Sequence, residues 1–255
     1  MINLMDYPLL PLVLTFAGLW LAARFGATTL RRLWRPVDED REDLSLVVAA
    51  SLTLLGLIIG FTFSMAVSRY DQRKNYEEAE ANAIGTEYVR ADLLPAVDAA
   101  KVRVLLRTYL DQRILFYTTR SEEQTRQINA RTTQLQTELW SSVVAPAAMQ
   151  PTPVVALAVS GMNDVLNSQG YTQAAWWNRI PIAAWALMAA IAVCCNVLIG
   201  YGVRNTKKGG ALLVVLPFVV SIAFFLIADI DSPRSGVIRV NPQNLSSLFE
   251  SMRAP

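Results

Sequence analysis

Histidine is missing from this chain, and cysteine occurs only as the adjacent pair Cys194 and Cys195. Without an imidazole there is no Ser-His-Asp triad, no histidine general acid or base, and no histidine-bearing metal site. Two neighbouring thiols inside an apolar run form neither a zinc site nor an ordinary structural disulfide, and are expected as small packing residues. Gly-x-Gly-x-x-Gly and P-loop lysine motifs are absent too, Gly209-Gly210 after Lys207-Lys208 being only a superficial echo. Strand-like alternation, internal repeats and low-complexity tracts are also lacking. An enzyme is not expected, and neither a cofactor nor a nucleic-acid partner is called for.

What the chain does have is segregated charge. Apolar residues make up 53% of it and charged ones 17%, too apolar for an ordinary soluble domain and too charged for a bare bundle of spans. Charge-free runs occur at Tyr7 to Ala23, Leu44 to Ser68, Ile180 to Val203 and Gly209 to Ala228. A bilayer core takes roughly 20 residues at helical rise, so four transmembrane helices are expected, over about 7–30, 44–68, 180–203 and 209–228. The first run is the shortest; Arg24 must snorkel from it, and Arg31-Arg32 follow it as in a retained span rather than a cleaved signal. Pro217 in the fourth run is tolerable in a membrane helix and predicts a kink. Trp20, Trp34 and the pair Trp176-Trp177 stand where an interfacial aromatic belt is expected.

Between the second and third spans lie 111 residues, Arg69 to Arg179, with 12 basic and 12 acidic side chains. This is read as a neutral helical extramembrane module. No breaker interrupts the pattern from the second span to Leu94 before Pro95, which predicts one helix running straight out of the membrane. A second helix is expected over Val97 to Thr118, with Val102, Leu106, Tyr109 or Leu110, Ile114 and Tyr117 at helical spacing. The third opens with the capping pattern Ser121-Glu-Glu-Gln and carries Ile128, Leu135, Leu139 and Val143. The fourth opens at Thr152-Pro153 and is expected to end near Gly170. The fold class is therefore all-α, with residues 1–68 and 180–230 as two transmembrane pairs, 69–179 as the module and 231–255 as a C-terminal tail.

Three constellations carry possible function. The second span holds Gly56-Leu-Ile-Ile-Gly60-Phe-Thr-Phe-Ser64, and the Gly56/Gly60 spacing suits close helix packing, with pore lining the alternative. Asp229 and Asp231 close the fourth span, where a helix C-terminus disfavours carboxylates. Arg234 and Arg239 are the expected counter-charges, with a bound cation the rival reading. The exit of the second span mixes signs through Arg69, Asp71, Arg73, Lys74, Glu77, Glu78 and Glu80, as a solvated helix face does. Around an axis, Arg69 and Arg73 would instead form charge rings at a pore mouth.

The segments Gly60-Phe61 with Arg69-Tyr70, Glu78-Ala-Glu-Ala-Asn-Ala-Ile-Gly85, Tyr88-Val-Arg-Ala-Asp-Leu-Leu-Pro95 and Asp231-Ser-Pro-Arg-Ser-Gly236 resemble a bestrophin-like family of bacterial membrane proteins. The likeness runs from the second span to the end of the fourth. A weaker resemblance extends to bestrophins proper, which are pentameric anion channels whose second span lines the pore. It implies a homo-oligomer, a pentameric ring, passing inorganic ions across a lipid bilayer. By position it makes Thr53, Leu57 and Phe61 the neck, although Thr53 departs from the bulky apolar pattern. It also implies that Asp229 and Asp231 stand where bestrophins bind calcium.

Two matters stay open in the sequence. The short loops carry Arg31, Arg32, Arg35, Arg41, Arg204, Lys207 and Lys208, which places them in the cytoplasm of a bacterial inner membrane and the module outside; the bestrophin resemblance implies the reverse. The alternative to a channel is a non-conducting scaffold or sensor whose helical module binds a partner or ligand.

Overall fold

The computed structural model describes residues 9–33, 41–203 and 210–253. Tyr7, Pro8, Trp34, Arg35, the acidic run Asp38 to Asp40, and Arg204 to Gly209 lie outside the described residues. Every regular element among the described residues is helical: α1 (Leu9–Phe25), α2 (Arg31–Leu33), α3 (Arg41–Arg90), α4 (Ala96–Thr118), α5 (Glu122–Met149), α6 (Pro153–Trp177), α7 (Ile182–Gly202), α8 (Leu212–Asp231) and α9 (Gln243–Ser251). Four helical stretches, Leu10–Leu33, Glu42–Leu93, Pro153–Gly202 and Leu213–Asp231, are long and apolar enough to cross a membrane. The chain divides into two compact units, residues 1–68 with 179–238 and residues 69–178 with 239–255.

In the first unit α1 packs on both α7 and α8, and those two pack on each other. Its core joins Leu19, Leu55, Met188, Ala192, Cys195, Val220 and Phe224, and Phe16–Phe218 and Trp185–Phe224 meet edge to face with centroids 6.3 and 6.2 Å apart. Cys195 is thus a packing residue, while Cys194 is exposed. α1 and the turn that extends it approach α7 closely. Beyond Phe25 the helix widens into a π-type stretch, Gly26–Leu30, and a Cβ at Gly26 would overlap the Val197 carbonyl; one at Gly200 would overlap the Ala23 carbonyl. Only hydrogen fits at either position, so backbone meets backbone. Arg31 closes this end by donating to the Val203 carbonyl. In α8, Ser221 donates its hydroxyl to the Pro217 carbonyl at 2.6 Å, and the helix continues through the proline.

The second unit is a helical bundle. α4 packs along α5, α5 along α6, and α9 on α4. The apolar stripes meet in one core containing Ile84, Val102, Leu106, Tyr109, Leu110, Leu135, Leu139, Val143, Met162, Val165 and Leu245. Each fully buried Leu or Val there contributes about 1.5–3 kcal/mol of transfer free energy. Local signals set the helix starts: Ser121 Oγ accepts from the Gln124 N–H at 3.4 Å and Thr152 Oγ1 from the Val155 N–H at 3.2 Å.

Three features differ from expectation. α6 does not stop near Gly170 but runs to Trp177. A mid-helix glycine costs about 1 kcal/mol, and the burial of Thr172, Ala175 and Trp176 beyond it outweighs that. Trp176 is not a belt residue: it lies in the core against Phe116 at 4.7 Å and Tyr117 at 5.4 Å, whereas Trp177 is exposed. The segment after α8 is not one tail, since it belongs to the first unit as far as Ile238 and to the second from Arg239 onward.

Candidate functional site

In its membrane portion α3 buries a single narrow stripe, Leu55, Thr62 and Ala66, flanked by half-buried Leu52, Ile58 and Ile59. At about 100° per residue, Thr53, Leu57 and Phe61 fall on the opposite side of the helix. The structure agrees: Thr53 is exposed, Leu57 is 53% exposed and Phe61 66%. Gly56 and Gly60 also face open space, with nothing within 4 Å of where a Cβ would stand. The second span is the least enclosed of the four, with 6% of its most apolar window buried against 44% for the fourth. Thr53, Gly56, Gly60 and Ser64 are therefore not used for packing within the chain, unlike the buried Thr62, and the close approach expected of Gly56 and Gly60 is made instead by Gly26 and Gly200. A free face that combines small and hydroxyl residues with Leu57 and Phe61 can pack against further copies or border water.

The charged exit of α3 is not a uniformly solvated face. Arg73, Glu77, Glu80 and Glu87 are buried, at 2%, 1%, 0% and 0% exposure, while Arg69 is half-buried. The buried residues recur at three- and four-residue steps with Ile84 and Ala91 between and after them, which is a helix seam written partly in charge. Each carboxylate has its own environment. Glu77 accepts from the Asn244 amide at 2.7 Å and the Leu245 N–H at 2.9 Å, so it caps the start of α9. Glu80 accepts from Arg113 of α4, from the Tyr117 hydroxyl at 3.4 Å and from Thr172 of α6 at 3.1 Å. Burial alone would lower the Arg113 pKa, but the Glu80 carboxylate reverses the sign and holds the guanidinium above its ordinary value. Burial, with the Glu80 charge second, pushes the Tyr117 phenol above the usual range. Sequence reasoning missed this cluster, because alternating charge at helical spacing is also what a wet face shows. The available signal was its coincidence with the apolar seam of Ile84 and Ala91.

Asp229 and Asp231 are both buried, at 6% exposure. Asp229 accepts from the N–H groups of Val237 at 2.7 Å and Ile238 at 2.8 Å, folding the loop back onto the end of α8. Asp231 accepts from the Ile180 N–H through both oxygens, each at 3.2 Å, and so ties down the approach to α7. Backbone amides thus help to offset the carboxylates that the helix end disfavours. A small cavity of about 60 Å³ lies beside Asp229, Ser232 and Pro11, with a mainly apolar lining. Among the described residues no group of three or more His, Cys, Asp or Glu side chains could hold a metal ion.

The profile of the bestrophin-like domain matches residues 11–245. Among solved structures, a tryptophan-to-alanine variant of a bacterial bestrophin homologue from Klebsiella pneumoniae superposes with a TM-score of 0.66 at 12% identity, over 94% of this chain and 93% of that one. Another structure of a bacterial bestrophin homologue from the same organism gives 0.62 at 14% identity, over 96% and 97%. A glycine-to-alanine variant described as a membrane protein gives 0.67 at 13% identity, over 96% and 97%. At these identities the likeness is one of fold. No curated protein matches the chain.

Proposed function

The chain belongs to the bestrophin-like family, and from that premise we propose that it assembles as an oligomeric ion channel of the cell membrane, with α3 of each copy facing a common axis. The observation that carries the reading is the free face of α3. A helix whose own subunit covers so little of it, and whose open side bears Thr53, Leu57, Gly60, Phe61 and Ser64, fits the wall of a closed ring better than a lipid-facing surface. In such a ring Leu57 and Phe61 form stacked apolar girdles that admit ions only when wetted, and Thr53 supplies a hydroxyl step beside them. Arg69, half-buried at the exit, supplies positive potential at the mouth. Arg73, held in the interior of the second unit, acts there rather than on passing ions. Anion conduction and a five-fold ring are the forms the bestrophin resemblance favours. The reading needs no cofactor, and Asp229 and Asp231 serve it as loop anchors.

The test is the flux of chloride and of potassium through liposomes holding the purified protein, with the Leu57→Ala, Phe61→Ala double variant alongside. The variant should raise flux of the selected ion by about tenfold or more, equivalent to removing ~1.4 kcal/mol from the passage barrier. Equal flux in folded, inserted wild type and variant removes the neck assignment. No flux of either ion from folded wild type removes the channel and leaves the scaffold or sensor.

A further inference from the structure

Glu87 of α3 is fully buried, and neither carboxylate oxygen has a hydrogen-bond partner among the described residues. It is seated against α6 at Gly161, where an added Cβ would overlap Glu87 Oε2 and crowd the guanidinium of Arg90. The charged groups that bear on it are Arg90, three residues on along α3, and Asp164, three residues beyond Gly161 on α6. Glu80 differs on the same helix, since it has Arg113, Tyr117 and Thr172 to hold its charge. An ionised carboxylate without donors is expensive to bury, whereas a protonated one costs far less.

We propose that Glu87 and Gly161 form a proton-operated latch that holds α6 against α3 when the carboxyl is protonated and loosens that contact when the proton leaves. Burial first, and the negative charge of Asp164 in addition, push the Glu87 pKa up from 4.5 to about 8, against the opposing pull of Arg90. The sign of the linkage follows. The closed seat keeps its proton up to about pH 8, while an opened, solvated Glu87 releases it near its ordinary value. Latch stability is therefore fully present at acid pH, falls as pH rises from about 4.5, and levels off once the closed form also ionises near pH 8. The latch is read on the module itself and does not depend on whether the chain conducts.

Amide hydrogen exchange of the full-length protein in detergent, followed over α6 from Val155 to Asn167 between pH 5.5 and 8.5 and corrected for intrinsic chemical exchange, tests it. In the wild type the opening constant should climb by up to about tenfold per pH unit and flatten near pH 8. Glu87→Gln, which mimics the protonated form at nearly the same volume, should hold α6 closed and vary less than about twofold across the range, as expected once the titrating group is gone. Asp164→Asn removes the like charge and should move the plateau to lower pH. A wild-type profile without pH dependence, or one that Glu87→Gln leaves unchanged, overturns the latch. Should Glu87→Gln fail to fold, a plateau that Asp164→Asn does not move overturns it equally.

Discussion

Arg113 and Glu80 meet with no exposed surface on either side chain, and Tyr117 and Thr172 complete the carboxylate's shell. Such a pair returns little net stability relative to well-packed apolar residues, yet breaking it leaves a buried charge uncompensated. Arg113→Met should accordingly lower unfolding stability by ~3–5 kcal/mol, whereas Tyr117→Phe, which removes one neutral donor, should cost about 1–2 kcal/mol. Thermal unfolding of both variants in detergent checks the order; equal losses would mean that the pair is not what holds this seam. At this scale the sequence was only partly legible. Tyr109, Leu110 and Val102 announce themselves as core by spacing, but residue type does not separate buried Arg73, Glu77 and Glu87 from exposed Lys74 and Glu78, and only their register with Ile84 and Ala91 does. Their burial is decided by residues such as Asn244, which lies 167 positions from its partner Glu77.

Helices were legible where their ends carry chemistry. The Ser121 and Thr152 caps and the stop before Pro95 each follow from one or two side chains. Helix-to-helix contacts were not, because close approach is a property of two segments and each looks ordinary alone. The Gly56/Gly60 spacing in α3 is the more conspicuous small-residue signal, but the backbone contact is made by Gly26 and Gly200. That difference makes a paired prediction. Gly200→Ala would drive a methyl into the Ala23 carbonyl and force α1 from α7, a case of overpacking that costs about 1–3 kcal/mol or more. Gly56→Ala and Gly60→Ala meet nothing in their own chain and should not lower the unfolding temperature of the dissociated protein, raising it slightly if anything because a mid-helix glycine is lost, with any loss confined to assembly or flux. Unfolding temperature and size-exclusion profile, measured together on the three variants, separate the two roles. A Gly200→Ala protein as stable as the wild type would show that α1 and α7 can part without loss.

For the whole molecule, two physical arguments give opposite orientations, and one measurement decides between them. The loops joining the spans at one end carry Arg31, Arg32, Arg35 and Arg41 and then Arg204, Lys207 and Lys208, whereas the 69–179 module balances 12 basic against 12 acidic residues. Positive charges in short loops resist transfer across the membrane, and a long neutral domain crosses largely irrespective of its charge. On that ground we propose that the module is extracytoplasmic and the short loops cytoplasmic; family architecture, in the form the bestrophin resemblance implies, puts the module inside. The module offers a clean reporter in Arg126, whose side chain is 74% exposed on α5 and whose ion pair with Glu123 is a surface i, i+3 contact of little energetic weight. With Cys194 and Cys195 both changed to serine, a single cysteine at position 126 should react with a membrane-impermeant maleimide added to intact spheroplasts, and reaction should not increase when the membrane is opened. Labelling that appears only after permeabilisation would place the module in the cytoplasm. In that case the arginines of the short loops would face outward against the usual bias, and the packing of α1 on α7, with Arg31 bound to the Val203 carbonyl, would have to set the orientation in place of loop charge.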